Sequence, residues 1–219
     1  KDGRPKKVRQ RFLPEMKSYL LDIKTGFTQF RLPKLWVYVP FIFTVQGLFY
    51  TTGYGLLRLI LLDRFQFSPL WGSVVVATSS LITVGLLGFM HRNADKLSEK
   101  QVLTTIGLIA GSNLLLSLAN IGWWGYLVIL TLYASEHILQ PFLSEVFNNQ
   151  APESQRATVL SVASLIKALP YVVLAPVIGY LSTNDKIEYF LIVWALLIFS
   201  AVLLYLSARK KDARISLAE

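Results

Sequence analysis

Two ionisable side chains lie deep inside long apolar segments of this 219-residue chain. Glu136 lies near the middle of the segment from Trp123 to Phe147, and Lys167 lies within the segment from Ala157 to Leu181. A helix of either length crosses a bilayer, where a charge is costly and is retained mainly at cavities or in bundle interiors. The pair therefore makes passage of a solute or of protons the leading hypothesis.

Composition supports a membrane environment. Hydrophobic residues make up 53% of the chain, charged residues only 16%, and the mean hydropathy is +0.49, which is too apolar for an ordinary water-soluble domain. The apolar runs are continuous rather than alternating, so they predict helices and not barrel strands. The predicted fold class is an all-α membrane protein.

Hydropathy predicts six spans, each near the roughly 20 residues that cross a bilayer. The chain then divides into a basic linker (1–34), a six-helix bundle (35–207) and a tail (208–219). The predicted spans are Leu35 to Leu62, Leu70 to Met90, Val102 to Asn120, Trp123 to Phe147, Ala157 to Leu181 and Ile187 to Ser207.

The distribution of Lys and Arg predicts the orientation. Eighteen of the 22 lie in the segment through Lys34, the second and fourth loops and the tail, whereas the opposite side holds only Arg64 and Lys186. Because Lys and Arg are enriched in cytoplasmic loops, both termini are predicted to be cytoplasmic, in the plasma (cell inner) membrane.

The 1–34 segment is read either as containing a helix on the membrane surface or as a solvated tether that meets anionic headgroups. The net charge of +9 comes mainly from the chain ends and short loops, not from an aromatic-interleaved surface, so nucleic acid is not an expected partner. The expected partners are the lipid bilayer, a small solute and protons. The chain has no Cys.

Polar residues fall on stripes of the predicted helices. On the fourth span Tyr126, Tyr133, Glu136, Gln140 and Ser144 recur at spacings of seven, three, four and four, which places them on one face. The other stripes are Gln46, Tyr50 and Tyr54 on the first span, and Ser161, Ser164, Ala168, Tyr171, Ala175 and Gly179 on the fifth, with Lys167 at its edge. For the small residues, close helix packing is the alternative explanation.

Glu136 and Lys167 share a predicted depth, so an ion pair between them, a protonated Glu136, and a static pair that fixes packing all remain open. His137 points about 100° away from Glu136, and a proton relay through it requires that its own face be buried. Four prolines within spans predict kinks: Pro40, Pro141, Pro170 and Pro176.

Two loop regions resemble the major facilitator superfamily of transporters, especially its drug and sugar efflux branches. One runs from Pro152 through Arg156 and Thr158 to Ser161 and on to the segment Ala175 to Leu181. The other, Ala94 to Lys100, is similar to the family's loop between the eighth and ninth helices. Its matching residues are Asp95, Lys96 and Lys100, while His91 and Ser98 stand where the family usually has glycine.

This resemblance implies the C-terminal six-helix half of a twelve-helix transporter, with an N-terminal half as its partner. Helices in the first and fourth positions would line a central cavity, with Lys167 on the fifth. The expected substrate and proton pathway comprises Gln46, Tyr50, Tyr54, Tyr133, Glu136, Gln140, Lys167 and Tyr171.

The expected function is secondary active transport of a small organic solute by alternating access, with proton-coupled efflux, and not an enzyme activity. A non-transporting six-helix scaffold or a decayed half-transporter is the alternative. An intramembrane hydrolase is remote, because Ser112 and His137 occur without a nucleophile elbow. His91 and His137 lack metal-ligand spacing and no nucleotide-binding loop occurs, so neither a metal nor a cofactor is expected.

Overall fold

The computed structural model describes residues 33–53, 55–92 and 98–215, together with Leu21, Lys24 and Thr28. Every regular element in these residues is helical, and no strand occurs among them. Tyr54, Asp95 and Lys96, most of the predicted 1–34 linker, and the end of the predicted tail lie outside the described residues.

The first predicted span, Leu35 to Leu62, is divided into several short helices. Pro40 removes one backbone donor, and a π-helix over Ile42–Gln46 follows directly after it. Gly55 adopts φ +89°, a left-handed conformation that is easy only for glycine, and it separates two helices. The resulting elements are α1 (Pro33–Trp36), α2 (Val39–Phe41), the π-helix, α3 (Gly47–Gly53) and α4 (Leu56–Arg64).

The other five predicted spans each coincide with one long helix. Helices α7 and α8 continue through Pro141, Pro170 and Pro176, and α9 extends past the predicted end of its span. Short 3-10 turns at Gly122–Trp124 and Glu153–Gln155 precede α7 and α8. The long helices are α5 (Pro69–Arg92), α6 (Glu99–Leu116), α7 (Gly125–Gln150), α8 (Arg156–Thr183) and α9 (Ile187–Ile215).

Among the described residues, three helices are long and apolar enough to cross a membrane, which indicates a membrane protein. They are Pro69–Met90, Arg156–Thr183 and Ile187–Lys210. Helix α6 is less apolar because it opens with Glu99, Lys100 and Gln101, and α7 because of its polar stripe. Six membrane spans therefore remain a prediction.

Close helix packing relies on glycine at particular positions. A methyl group at Gly111 of α6 would lie 2.6 Å from Cε1 of Phe199 on α9, and one at Gly47 of α3 would lie 2.6 Å from Cγ of Pro170 on α8. Such distances leave no room for a side chain, so these helix pairs approach closely through small residues. The pairs that pack most extensively are α6 with α9, α5 with α7, and α3 with α8.

The N-terminus of α6 has a capping box formed by Ser98 and Gln101. Ser98 Oγ accepts a hydrogen bond from the backbone N–H of Gln101 at 3.2 Å, and Gln101 Oε1 accepts one from the backbone N–H of Ser98 at 3.1 Å. These reciprocal bonds satisfy two otherwise unpaired groups at the helix start. A glycine at position 98 could not form this capping box, because it has no side-chain oxygen to accept the hydrogen bond from Gln101.

At each end of the bundle, an arginine side chain bonds to residues of other helices. At one end, which we call the Arg64 end, the Arg64 guanidinium donates to the backbone oxygens of Ser117 and Leu118 and pairs with Glu188 at 2.9 Å. At the opposite end, the Arg209 end, the Arg209 guanidinium donates to Glu99 and to Tyr38. These bonds hold the helices together at both ends of the bundle.

Candidate functional site

A small cavity of about 20 Å³ lies between the π-helix, α3, α7 and α8. Five of the eight predicted pathway residues line it, together with Phe49. We call it the Glu136 cavity. The pathway residues in its wall are Gln46, Tyr50, Glu136, Gln140 and Lys167.

Helical spacing explains why these residues meet. Glu136 and Gln140 are four residues apart on α7 and therefore share one face. Gln46 and Tyr50 have the same spacing across the junction of the π-helix and α3. Because α3 approaches α8 closely at Gly47, the face that carries Gln46 and Tyr50 lies beside Lys167.

The Glu136 carboxylate is half-buried and lies against the end of α3. A methyl group at Gly53 would lie 3.1 Å from Oε1 of Glu136, so the absence of a side chain at this position makes room for the carboxylate. Three basic groups act on Glu136 electrostatically: His137, Lys167 and Arg58. Burial favours the neutral form of a carboxyl and nearby positive charges favour its ionised form, and a group under these opposing influences can bind and release a proton.

Lys167 lies beside Glu136 without pairing with it. Its Nζ lies 3.4 Å from Oε1 of Gln140, at the long limit for a hydrogen bond. The ion pairs within 4.0 Å among the described residues are Arg64 with Glu188 and Arg209 with Glu99. A static Glu136–Lys167 ion pair is therefore absent from this conformation, although both side chains line one cavity.

The two remaining described pathway residues flank the Glu136 cavity. Tyr171 of α8 packs edge to face against Tyr50, with ring centroids 5.9 Å apart. Tyr133 of α7 is buried, and its hydroxyl accepts a hydrogen bond from the Arg58 guanidinium of α4. Arg58 thus connects Tyr133 to the neighbourhood of Glu136.

His137 lies on a different face of α7 from Glu136. Its ring stacks on Tyr133, with centroids 6.1 Å apart, and its Nδ1 lies 2.9 Å from the backbone oxygen of Tyr133. The residue is exposed. The burial that a His137–Glu136 proton relay requires is therefore not present.

Two further cavities adjoin the same region. One, of about 110 Å³, shares Gln46, Gln140 and Lys167 with the Glu136 cavity and extends toward the Arg209 end. The other, of about 620 Å³, lies toward the Arg64 end and is lined by Arg58 among other residues of α4 and α5. Arg58 in the wall of the larger cavity donates to Tyr133, which lies three residues before Glu136 on α7.

The predicted loop residues lie away from these cavities. Lys100 is exposed in the first turn of α6, Pro152 is exposed before the second 3-10 turn, and Arg156 is exposed at the start of α8. Thr158 is half-buried in the first turn of α8. About 16 Å of helix separates Arg156 from Lys167, so these residues do not contact the cavity.

A cluster of five polar side chains at the Arg209 end was missed by the sequence reasoning. Glu99 Oε1 accepts hydrogen bonds from the hydroxyls of Tyr38 and Tyr205, each at 2.7 Å, and from Arg209. Gln150 Nε2 donates to the Tyr38 hydroxyl at 2.8 Å. Only Glu99 and Arg209 carried a sequence signal, as opposite charges at the ends of two predicted spans; the pairing itself depends on the tertiary fold.

Arg58 is the second omission. Arg58 lies within the first predicted span, but helical spacing does not connect it with Tyr133, so it is not among the predicted pathway residues. No group of three or more His, Asp or Glu side chains that could hold a metal occurs within the part of the chain that the structure describes.

Comparison with known proteins adds no family or relative. No known protein family, curated protein or solved structure matches this chain. The function is therefore argued from the site itself.

Proposed function

We propose that this protein is half of a secondary active transporter, a six-span unit of the major facilitator type with both termini in the cytoplasm. It moves a small organic solute across the plasma membrane by alternating access, and proton movement through Glu136 is coupled to export of the solute. A second six-helix unit completes the pathway. The membrane character of three helices supports the first part of this proposal.

The observation that carries the proposal is the convergence of Gln46, Tyr50, Glu136, Gln140 and Lys167 on one cavity. These residues come from helices far apart in sequence, and polar groups at such a depth are retained in membranes mainly for ion or solute pathways. A purely structural cluster would be expected to satisfy its charges internally. Here Glu136 and Lys167 remain unpaired with each other.

The positions of the cavities support alternating access. The cavity that Arg58 lines lies toward the Arg64 end, the one that Lys167 lines lies toward the Arg209 end, and Glu136 lines neither of them. Rocking of α3 and α4 about Gly55, whose left-handed conformation interrupts the helix, would open one side and close the other. The Arg209 cluster, which includes no residue of α3 or α4, would keep its helix ends together during this movement.

The test uses the intact protein reconstituted in lipid vesicles that contain a pH-sensitive dye. A pH gradient is imposed, and benzoate, benzamide and benzyltrimethylammonium are added separately as probes of three charge classes. The proposal predicts that at least one probe causes protein-dependent proton movement and that the gradient drives net uptake of that probe. Failure of all three to move or to shift the internal pH, in vesicles with correctly inserted protein, would favour a non-transporting scaffold.

A further inference from the structure

We propose that the solute is an organic anion and that Lys167 binds its acidic group in the cavity toward the Arg209 end. We call this the Lys167 cavity; its volume is about 110 Å³. The inference rests on the proposed transport function, because it names the substrate class of the same pathway. It concerns a different part of that pathway from Glu136, which lines the adjoining cavity.

The wall of the Lys167 cavity contains one positive charge. Lys167 is the one ionisable side chain among the residues described as lining it, and no carboxylate lines it. Glu136 and Lys167 face each other only across the smaller Glu136 cavity. The larger cavity therefore offers one positive charge with no negative charge in its wall, which favours an anion over a neutral or cationic ligand.

The side chains of Lys167 and Gln46 offer hydrogen-bond donors in the wall of this cavity. The Lys167 ammonium has three donors, and within the described residues its one side-chain hydrogen bond is the 3.4 Å approach to Gln140. The Gln46 side chain lines the same cavity, is only 8% exposed, and forms no side-chain hydrogen bond to any described residue. Both groups are hydrogen-bond donors in the wall of the cavity, and a ligand oxygen would accept hydrogen bonds from both.

The other residues that line the cavity indicate what the rest of the ligand, apart from its acidic group, is made of. Leu143, Phe147 and Leu160 supply apolar surface opposite the polar groups, and the Ser144 and Ser164 hydroxyls lie along the same cavity. A volume of 110 Å³ exceeds the roughly 30 Å³ that one water occupies in the liquid. The cavity therefore has room for a group larger than a water molecule, and we expect this group to be a carboxylate attached to a compact aromatic or aliphatic group. A charge-assisted bond from Lys167 would position such a group.

The test measures equilibrium binding to the purified intact protein in lipid nanodiscs by calorimetry. The probes are benzoate and its neutral analogue benzamide, which have nearly the same shape. We expect wild-type protein to bind benzoate more tightly than benzamide. Lys167→Gln should weaken benzoate binding about 10- to 100-fold, the range for a charge-assisted hydrogen bond, and should leave benzamide binding unchanged.

Two control variants sharpen the result. Lys167→Arg keeps the positive charge and should retain benzoate binding, whereas Lys186→Gln removes an exposed positive charge near the Arg64 end and should have no effect. Equal binding of the two probes by wild-type protein, or no benzoate binding at all, overturns the inference without any variant. Unchanged benzoate binding by a folded Lys167→Gln protein overturns it as well.

Failure of this inference and failure of the proposed transport give different patterns. Benzoate binding that depends on Lys167, without flux of any probe in vesicles, would leave the anion site standing and reject transport. Flux of benzamide or benzyltrimethylammonium, with no benzoate binding, would leave transport standing and reject the anionic substrate.

Discussion

Lys167 Nζ lies 3.4 Å from Oε1 of Gln140 on the neighbouring helix, and this long contact is its one side-chain hydrogen bond among the described residues. Arg209 is different, since its guanidinium donates to Glu99 and Tyr38 and lies over the rings of Tyr38 and Tyr205. Lys167 is thus held by one weak contact beside a cavity, whereas Arg209 contacts three other side chains of its cluster.

This contrast predicts opposite effects on stability. Lys167→Met removes a poorly paired, half-buried charge and should leave the apparent Tm unchanged or raise it, because an unpaired charge at a functional site is destabilising. Arg209→Met should lower the apparent Tm, because it leaves the Glu99 carboxylate without its cation. Thermal unfolding of both variants in one detergent makes the comparison. An equal loss of stability in the two would mean that Lys167 has a structural role.

The Glu99 cluster predicts a pH dependence of stability. Burial alone raises the pKa of Glu99, but hydrogen bonds from Arg209, Tyr38 and Tyr205 outweigh it and hold the pKa below its usual range. A lowered pKa in the folded state contributes stability that is fully present above the unfolded value of about 4.3. That contribution is lost as the pH falls through the lower, folded value.

Glu99→Gln should therefore lower the apparent Tm at pH 7 by about 2–4 °C for each kcal/mol lost, with roughly 1–3 kcal/mol expected. The difference from wild type should narrow below about pH 4, where the Glu99 carboxyl takes up a proton in the unfolded chain before it does so in the folded protein. Glu145→Gln, an exposed change on α7, is the matched control. A Tm difference that is constant from pH 3 to 7 would contradict the role assigned to the ionised carboxylate.

Close packing of α3 against α8 predicts different effects at two glycines. A methyl group at Gly47 would meet Pro170 at 2.6 Å, whereas one at Gly85 of α5 would meet nothing within 4 Å. Gly47→Ala should lower the apparent Tm by overpacking, at a cost of about 1–3 kcal/mol. Gly85→Ala should raise it slightly, because alanine is the better helix former by about 1 kcal/mol. If both variants shift the Tm in the same direction, α3 and α8 do not approach as described.

The helices were largely predictable because long apolar segments have an evident beginning and end in the sequence. Five predicted spans coincide with α5 to α9 within a few residues, apart from the extension of α9 to Ile215. The division of the first span was not predicted. Its cause is backbone conformation at Pro40 and Gly55, and a hydropathy profile does not register backbone dihedral angles.

The sequence predicted most of the residues that line the Glu136 cavity, but not the hydrogen bonds that they form between helices. Helical periodicity places Glu136 and Gln140 on one face, and that face lines the cavity. Periodicity describes one helix at a time, so it did not show that Lys167 contacts Gln140 rather than Glu136. For the same reason it missed the hydrogen bond between Arg58 and Tyr133.

The topology can be tested because the chain has no native Cys. With both termini cytoplasmic, Glu153→Cys should react with an impermeant thiol reagent only after the membrane is permeabilised. Lys186→Cys, which is exposed at the opposite end of α8, should react in intact cells. The reverse pattern would place the termini outside, and reaction of both positions in intact cells would contradict a spanning α8.

The central claim is that Glu136 couples proton movement to solute passage, and Glu136→Gln tests it most directly because the amide keeps the shape but cannot exchange a proton at physiological pH. The measurement is solute uptake driven by a pH gradient in vesicles, compared with Glu145→Gln on the same helix and with empty vesicles. We predict that Glu136→Gln reduces gradient-driven uptake to the level of empty vesicles, while Glu145→Gln transports like wild type. Uptake by Glu136→Gln with unchanged rate and unchanged pH dependence would contradict the claim.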